Sequence, residues 1–360
     1  MKLSIILGSL YFLLLLCIHT QSFGQKTVKN LMGQDIAVDS IDIFLETMMK
    51  QLKVPGASVV LINEGKVVYK TSKGFADVER QIKVTSQTIF EGASLSKPLF
   101  AYLVMKDVEN GLLDLDKPLF QYLPYEDIAY DERYKKITAR MVLSHTAGFP
   151  NWRSDSGGTK LKIKFAPGTS FEYSGEGYQY LAKVLAHIHH TDDKGLDAIF
   201  QQRIAQPLQM KFTKYIQDAY NLQNKARPYD QGKRIQGEKV TNEFGAAYSV
   251  HTNAEDFSKW IMALLAGKGL SQSSYQALFK PQVTIPENSR HRQQGVVHWT
   301  LGFAEAHMPF GTVYGHGGNN PGYTSLFTIN RAKKWAFLMF TNAHQSTLAL
   351  QLLLFLNNGK

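Results

Sequence analysis

The chain has 360 residues, a formal net charge of +10, 44% hydrophobic residues and one cysteine, a composition typical of a globular protein. Its positive charge is scattered in doublets such as Lys135-Lys136 and Lys333-Lys334, with no stripe of basic and aromatic residues, which argues against nucleic-acid binding. A single cysteine excludes an intrachain disulfide framework, so the fold must depend on its hydrophobic core.

Residues 1–24 have the pattern of a secretory signal peptide. Lys2 precedes an apolar stretch over 5–18, and the small residues Ser22 and Gly24 precede a predicted cut before Gln25. The apolar stretch is too short for a membrane span. We therefore expect one mature domain over 25–360, periplasmic or secreted. A lipoprotein anchored at Cys17 is the alternative, which the bulky Leu16 disfavours.

The first elements of the mature chain predict a helix and a hairpin. Apolar residues recur at helical spacing over Asp39–Leu52, and Pro55-Gly56 follows. Residues 57–62 and 66–71 are apolar and β-branched, and the turn at 63–65 joins them as antiparallel strands. A third short strand is predicted to end at Phe90.

The stretch Glu91–Pro98 lies between that strand and a strongly periodic helix ending at Asn110-Gly111. Pro98 fits only in the first helical turn, which places Ser94 at or just before the helix N-terminus. There the helix dipole favours negative charge on an attacked carbonyl oxygen. Lys97 follows one turn later and is a candidate base for the Ser94 hydroxyl. Taken alone, the same residues also fit an N-cap and a solvated lysine.

The middle of the chain, roughly 119–244, predicts an inserted, mainly helical subdomain because it contains few β patterns. It includes a helix over Thr138–Ser144 and a loop containing Tyr173, Ser174 and Gly175. A lysine ammonium near Tyr173 would lower the pKa of the phenol, so that it could act as a base.

The C-terminal part returns to strands. A helix with a capping box runs from Thr252 to Leu265. Strands are predicted at 300–304, 312–314, 323–329 and 335–341, and a last helix at 347–356. The predicted fold class is α/β (α+β): one antiparallel sheet built from N- and C-terminal segments, with helices on both faces.

The stretch His316-Gly317-Gly318-Asn319 at the end of a predicted strand is a candidate substrate-binding edge. Glycines let a substrate approach the backbone, a free N–H binds an oxyanion, and His316 offers a further hydrogen bond.

Ser94/Lys97, Tyr173 and the His316 stretch, in this order and spacing, resemble the β-lactamase-related serine hydrolases. This family includes class C β-lactamases, D-amino-acid peptidases and carboxypeptidases, and esterases with the penicillin-recognising fold. The likeness extends from Val54-Pro55-Gly56 to the last helix and includes Leu143–Phe149.

The resemblance implies an acyl-enzyme mechanism that uses no metal or cofactor. The substrate would be an ester, amide or peptide, either a small molecule or a fragment of the cell wall. Ser94 would be the nucleophile and Lys97 would assist its deprotonation. Tyr173 would carry the proton to the leaving group, and His316 would take the place of the family's third-motif lysine. The N–H groups of Ser94 and Asn319, beside Gly317 and Gly318, would form the oxyanion hole.

Two departures from the family pattern weaken the expectation of β-lactam hydrolysis. Gly175 stands where the second motif has asparagine, and His316 replaces a lysine that binds the substrate carboxylate. A non-catalytic protein that binds or senses cell-wall fragments with the same fold is the alternative function.

Three other interpretations of the sequence have weaker support. Gly92–Ser96 nearly matches a Gly-x-Ser-x-Gly elbow, but Ser96 replaces the last glycine and the hairpin predicts an antiparallel sheet. His187, His189, His190, Asp192 and Asp193 are better read as a polar helix end than as a metal site. Trp152 and Tyr323 either line the cleft or pack in the core.

Overall fold

A computed structural model describes residues 26–238 and 240–358. The predicted signal peptide, including Cys17, lies outside these residues. Within the described part of the chain, none of the helices has the length and apolar character needed to cross a bilayer.

The described residues form the following strands and helices. The strands are β1 Thr27–Lys29, β2 Asp35–Ala37, β3 Gly56–Asn63, β4 Lys66–Asp77, β5 Ile82–Lys83, β6 Phe90–Ala93, β7 Tyr229–Asp230, β8 Lys233–Arg234, β9 Val250–Thr252, β10 Val283–Thr284, β11 Val296–Trp299, β12 Ala304–Met308, β13 Gly311–Asn320, β14 Tyr323–Asn330 and β15 Trp335–Thr341. The helices are α1 Val38–Gln51, α2 Ser96–Glu109, α3 Ala139–Leu143, α4 Gly175–Ile188, α5 Asp193–Phe200, α6 Ala219–Asn224, α7 Ala254–Ala266, α8 Gln272–Phe279, α9 Arg290–Gln293 and α10 Leu348–Asn358.

One nine-stranded antiparallel sheet organises the molecule, in the order β10-β11-β12-β13-β14-β15-β3-β4-β5. The N-terminal strand β3 pairs with the C-terminal strand β15, with Ala57 opposite Thr341 and Ile62 opposite Ala336. The predicted sheet from both ends of the chain is therefore confirmed. Antiparallel pairing throughout this sheet also excludes the βαβ units that the elbow reading requires.

Both faces of the sheet are covered, because successive side chains of a strand point to opposite sides. Val60 and Ile62 of β3 belong to a large core that includes α2 and α7. Val59 and Leu61 belong to a second core that includes α1 and α10. The candidate residues Ser94 and Lys97 lie on the face of the sheet that α2 covers.

Between residues 119 and 244 the described residues form α3 to α6, several short 3-10 turns and one small hairpin, β7–β8. This content agrees with the mainly helical region predicted there.

The prediction of a strand at 300–304 is wrong. Residues 300–303 form a tight turn between β11 and β12, in which Thr300 N donates to the Phe303 carbonyl at 2.9 Å. Gly302 adopts φ +92°, a conformation that other residues avoid and that ends the strand. The strand predicted at 312–314 is the start of β13, which continues through the glycines to Asn320.

Candidate active site

Ser94 lies between β6 and α2, half-buried, two residues before the helix begins. The residue before it, Ala93, has φ +49°, which is strained for a residue with a Cβ. Lys97 N donates to the Ser94 carbonyl at 3.0 Å and closes the turn. The local geometry therefore presents the Ser94 hydroxyl at the N-terminal end of α2, as the position of Pro98 predicts.

Lys97 is buried beside Ser94, with only 1% of its surface exposed. Its Nζ lies 3.2 Å from Ser94 Oγ and donates to the Ala247 carbonyl at 2.9 Å. The same atom lies 4.6 Å from the centre of the Tyr173 ring. A basic nitrogen and a hydroxyl are thus within hydrogen-bond distance in a site largely shielded from water.

Burial lowers the pKa of Lys97 to about 7. Loss of hydration disfavours the ammonium form, and among the ion pairs of the described residues none joins Lys97 to a carboxylate that would restore it. A substantial fraction of Lys97 is therefore neutral near pH 7, and a neutral amine can accept the Ser94 proton.

Tyr173 lies over Lys97, in the loop before α4. Burial raises the pKa of the Tyr173 phenol, and hydrogen bonding with Ser94 offsets this only in part. The direction is opposite to the lowered pKa expected from the sequence, because the loss of hydration exceeds any effect of the lysine. Tyr173 is therefore a protonated hydroxyl near neutral pH, suited to donating a proton.

His145 holds the Tyr173 loop in place. Its Nδ1 accepts the Ser174 backbone N–H at 3.1 Å, and its ring lies 4.4 Å from that of Tyr173. Burial keeps its pKa well below the ordinary value, so the ring is neutral. His145 adopts φ +59°, and it is a positioning residue behind the tyrosine.

His316 lies on β13, with its ring 5.9 Å from that of Tyr173. Its Nδ1 is 2.6 Å from the Gly317 carbonyl oxygen, which can only accept, so Nδ1 carries the proton. Burial, together with nearby Lys97, lowers the pKa of His316 to about 3. The ring is neutral, and its buried Nε2 is an acceptor without a partner among the described residues.

The glycines of β13 permit a close approach to the serine strand. A Cβ on Gly318 would lie 2.4 Å from the Gly92 carbonyl oxygen, so no larger residue fits there. β12 pairs with β13 only as far as Gly315, which leaves one edge of residues 316–320 free of that neighbour. Asn319 on this edge is exposed and follows Gly318, the residue that lies against Gly92.

Gly175 begins α4 against an indole ring. A Cβ on Gly175 would lie 2.6 Å from the six-membered ring of Trp152, so the Trp152 side chain fills the space an asparagine would need. Trp152 in turn packs edge-on against Tyr248, with ring centres 5.6 Å apart. An aromatic wall replaces the amide of the family motif, and the Ala247 carbonyl is the hydrogen-bond partner of Lys97.

The structure thus brings Ser94, Lys97, Tyr173 and His316 into one group, beside the Gly317–Asn319 edge. Sequence reasoning missed the Ala247 carbonyl, because a backbone acceptor leaves no mark in the residue pattern. It also missed Trp299 and His291, whose rings lie 5.7 and 5.4 Å from that of Tyr173. No motif or periodicity in the sequence singles them out.

A second contact that sequence reasoning missed involves β6, the strand that precedes Ser94. Partly buried Glu91, just before the Gly92–Ser94 turn, pairs with Lys225 at 2.6 Å and accepts from Asn320 Nδ2 at 2.6 Å. Lys225 and His251 counteract the effect of burial and hold the pKa of Glu91 below its ordinary value. Glu91 therefore ties β6 to the end of β13, on either side of the site.

The remaining candidates have structural roles. His189 bonds to buried Asp107 at 2.9 Å while His187 and His190 are exposed, and the described residues place no three ligating groups together at this helix end. Tyr323 is 1% exposed and donates to the Ala226 carbonyl, so it packs in the core.

The fold and this group of residues define a protein of the β-lactamase/transpeptidase-like class. The Beta-lactamase family model matches residues 41–353, and the chain therefore belongs to this family, whose members are generally serine hydrolases.

Among curated proteins, the chain is 25% identical over 328 residues to Protein flp of Staphylococcus aureus (strain MW2). The match covers 84% of this chain and 62% of that relative's length. Among solved structures, it is similar to the octameric penicillin-binding protein homologue from Pyrococcus abyssi, with a TM-score of 0.75, 20% identity and 90% and 78% coverage of the two chains. It is also similar to the D-alanine carboxypeptidase AmpC from Burkholderia cenocepacia, with a TM-score of 0.72, 19% identity and coverages of 89% and 99%. These structural matches establish the fold.

Proposed function

We propose that the protein is an exported serine hydrolase that forms an acyl-enzyme on Ser94 with an ester, amide or peptide and then hydrolyses it. The observation that carries the proposal is the 3.2 Å separation of Ser94 Oγ from the amine of Lys97, whose pKa burial lowers to about 7. A serine hydroxyl beside a neutral, buried amine is an activated nucleophile.

The residues suggest a sequence of steps. Ser94 Oγ attacks the substrate carbonyl carbon and its proton moves to Lys97 Nζ. The N–H groups of Ser94 and Asn319 stabilise the oxyanion. When the carbonyl re-forms, the bond to the leaving group breaks and Tyr173 gives its proton to that group, then regains one from Lys97. Water finally attacks the acyl carbon and gives a proton to the same pair; the bond from that carbon to Ser94 Oγ then breaks, the pair returns the proton to Oγ, and the acid product leaves.

Two features of the site favour esters with an apolar acyl group over β-lactams. Trp152 fills the place of the motif asparagine at Gly175, so an apolar surface stands where an amide would hold the substrate. His316 is neutral with a pKa of about 3, so it offers no positive charge to a substrate carboxylate. D-Amino-acid peptides are the next candidate class, and the solved D-alanine carboxypeptidase of similar fold supports including them.

A panel of p-nitrophenyl esters, D-amino-acid peptides and nitrocefin, assayed with wild type and Ser94→Ala, tests the proposal. We expect ester turnover well above that of nitrocefin, and a loss of about a thousandfold or more in Ser94→Ala. Ser273→Ala, an exposed serine on α8, is the matched control and keeps full activity.

The alternative is a non-catalytic protein that binds cell-wall fragments, which the missing asparagine at Gly175 favours. Binding of D-amino-acid peptides without turnover, equally strong in Ser94→Ala, would overturn the hydrolase proposal and support this one.

A further inference from the structure

A cluster of two histidines and a glutamate lies at the β11–β12 hairpin. His298 of β11 is paired with Glu305 of β12, and His307 follows Glu305 by two residues. Cross-strand partners and residues two apart share one face of a sheet. His298 Nδ1 is 3.2 Å and His307 Nε2 is 2.7 Å from Glu305 Oε1.

This cluster is separate from the candidate active site around Ser94. The next residue of β11, Trp299, points to the opposite face, where its ring lies 5.5 Å from that of His316. The histidine–glutamate cluster therefore has no part in the acyl-transfer chemistry proposed above, and the inference here does not depend on that proposal.

We propose that His298, Glu305 and His307 bind a divalent transition-metal ion, with zinc as the best fit. The three ligating atoms all lie within 4.8 Å of one another. A tetrahedral zinc ion, with ligands about 2.0–2.2 Å away, spaces neighbouring ligand atoms roughly 3.3 Å apart. The distances from His298 and His307 to Glu305 Oε1, 3.2 and 2.7 Å, lie below this spacing by at most about 0.6 Å, and two imidazoles with one carboxylate are a zinc donor set.

The state of Glu305 is a second, independent indication of a cation. Glu305 is only 3% exposed, and its Oε2 has no hydrogen-bond partner among the described residues. In that part of the chain its ion-pair contacts are His298 and His307 alone, with no lysine or arginine. A buried carboxylate with one unpartnered oxygen and no lysine or arginine beside it is costly, and a cation bound to this carboxylate would offset its negative charge.

The exposure of the ligands gives the ion a path of entry. The His307 side chain is 52% exposed and that of His298 is 24% exposed. Water or a further donor can complete the coordination from this side, while Glu305 anchors the ion from below. The ion would join β11 to β12 and stabilise the hairpin that carries Trp299.

Titration of the EDTA-treated, untagged full chain with zinc chloride, followed by calorimetry, tests this site. Wild type should bind one zinc ion per chain and unfold at a higher temperature when zinc is present. His307→Ala and Glu305→Gln should each weaken zinc binding at least about tenfold, the loss already typical of outer-shell partners. Cobalt substitution should give the visible absorption of a tetrahedral site.

His187→Ala removes an exposed histidine on α4 and is the matched control, which should bind zinc as wild type does. His307 is half-exposed, so His307→Ala should keep its metal-free unfolding temperature even if Glu305→Gln does not. Absence of zinc binding by wild type, or equal affinity in wild type and His307→Ala, would overturn the proposal. Loss of the site in His187→Ala would do the same.

Discussion

The low pKa of Lys97 comes from burial and not from a neighbouring positive charge. Desolvation is the cause of the lowered pKa of about 7, and the Ala247 carbonyl holds the amine toward Ser94. The surroundings therefore set the protonation state of the proposed base, and the Ala247 carbonyl sets the orientation of its amine.

The pKa of Lys97 predicts the pH dependence of acylation. The neutral amine is the active form, so the rate of Ser94 acylation should rise from about pH 6 and level off above about pH 8. The pKa of His316 is lowered to about 3 and that of Tyr173 is raised, so neither should add a step in this range. The second-order rate of fluorophosphonate labelling as a function of pH measures this.

Lys97→Arg is the matched variant for that profile. Its guanidinium stays charged at every accessible pH, so labelling should be slow throughout and should lose the rise. A wild-type rate that is flat across neutral pH, or a rise that persists in Lys97→Arg, would contradict the role of Lys97.

At the residue scale, the sequence predicts which side chains meet but not their protonation states. Ser94, Lys97, Tyr173 and His316 are visible as motifs, and the structure groups them. The direction of the Tyr173 pKa shift depends on burial by distant segments, which no local pattern records. The filling of the Gly175 position by Trp152 is hidden for the same reason.

At the element scale, the contact between β13 and β6 leaves no room for a side chain at Gly318. Gly318 lies against Gly92, while Gly317 points to open space, with Ser325 O as its nearest neighbour at 4.0 Å from a built Cβ. Neither glycine has a positive φ, so an alanine is strained at these positions only where it lacks space.

The two glycines therefore predict opposite results. Gly318→Ala should push β13 away from the serine turn and lower kcat/KM about a hundredfold, the loss typical of a displaced catalytic group. Gly317→Ala should stay within about threefold of wild type, since its Cβ has no neighbour closer than 4.0 Å. Ester hydrolysis and the unfolding temperature of both variants provide the comparison, and equal activity of the two would contradict the proposed packing.

The elements with clear periodicity are predicted well from the sequence, and those rich in glycine are not. α1, the β3–β4 hairpin and α7 begin and end within a few residues of the predicted bounds, apart from the longer far end of β4. The sequence predicts a strand only at 312–314, whereas pairing with β14 holds β13 extended through the glycines to Asn320. The false strand at 300–304 arises from an apolar stretch that Gly302 turns back on itself.

At the scale of the whole molecule, the site forms where distant parts of the chain converge. Ser94 comes from the N-terminal part, Tyr173 from the helical middle, Ala247 from the segment just before β9, and His316 from the C-terminal strands. The pairing of β3 with β15 brings the two ends of the chain together and so fixes the distance from α2 to β13. The sequence predicts this sheet through its alternating strands and its family likeness. The distances within the site come only from the packing of both cores.

The most direct test of the central claim is to locate the covalent phosphonyl adduct that a fluorophosphonate forms with a nucleophilic serine. After reaction with a fluorophosphonate above the pKa of Lys97, mass spectrometry of the whole chain and of its peptides should show one added group, located on Ser94. Absence of an adduct under these conditions, or its location on a serine other than Ser94, would contradict the account.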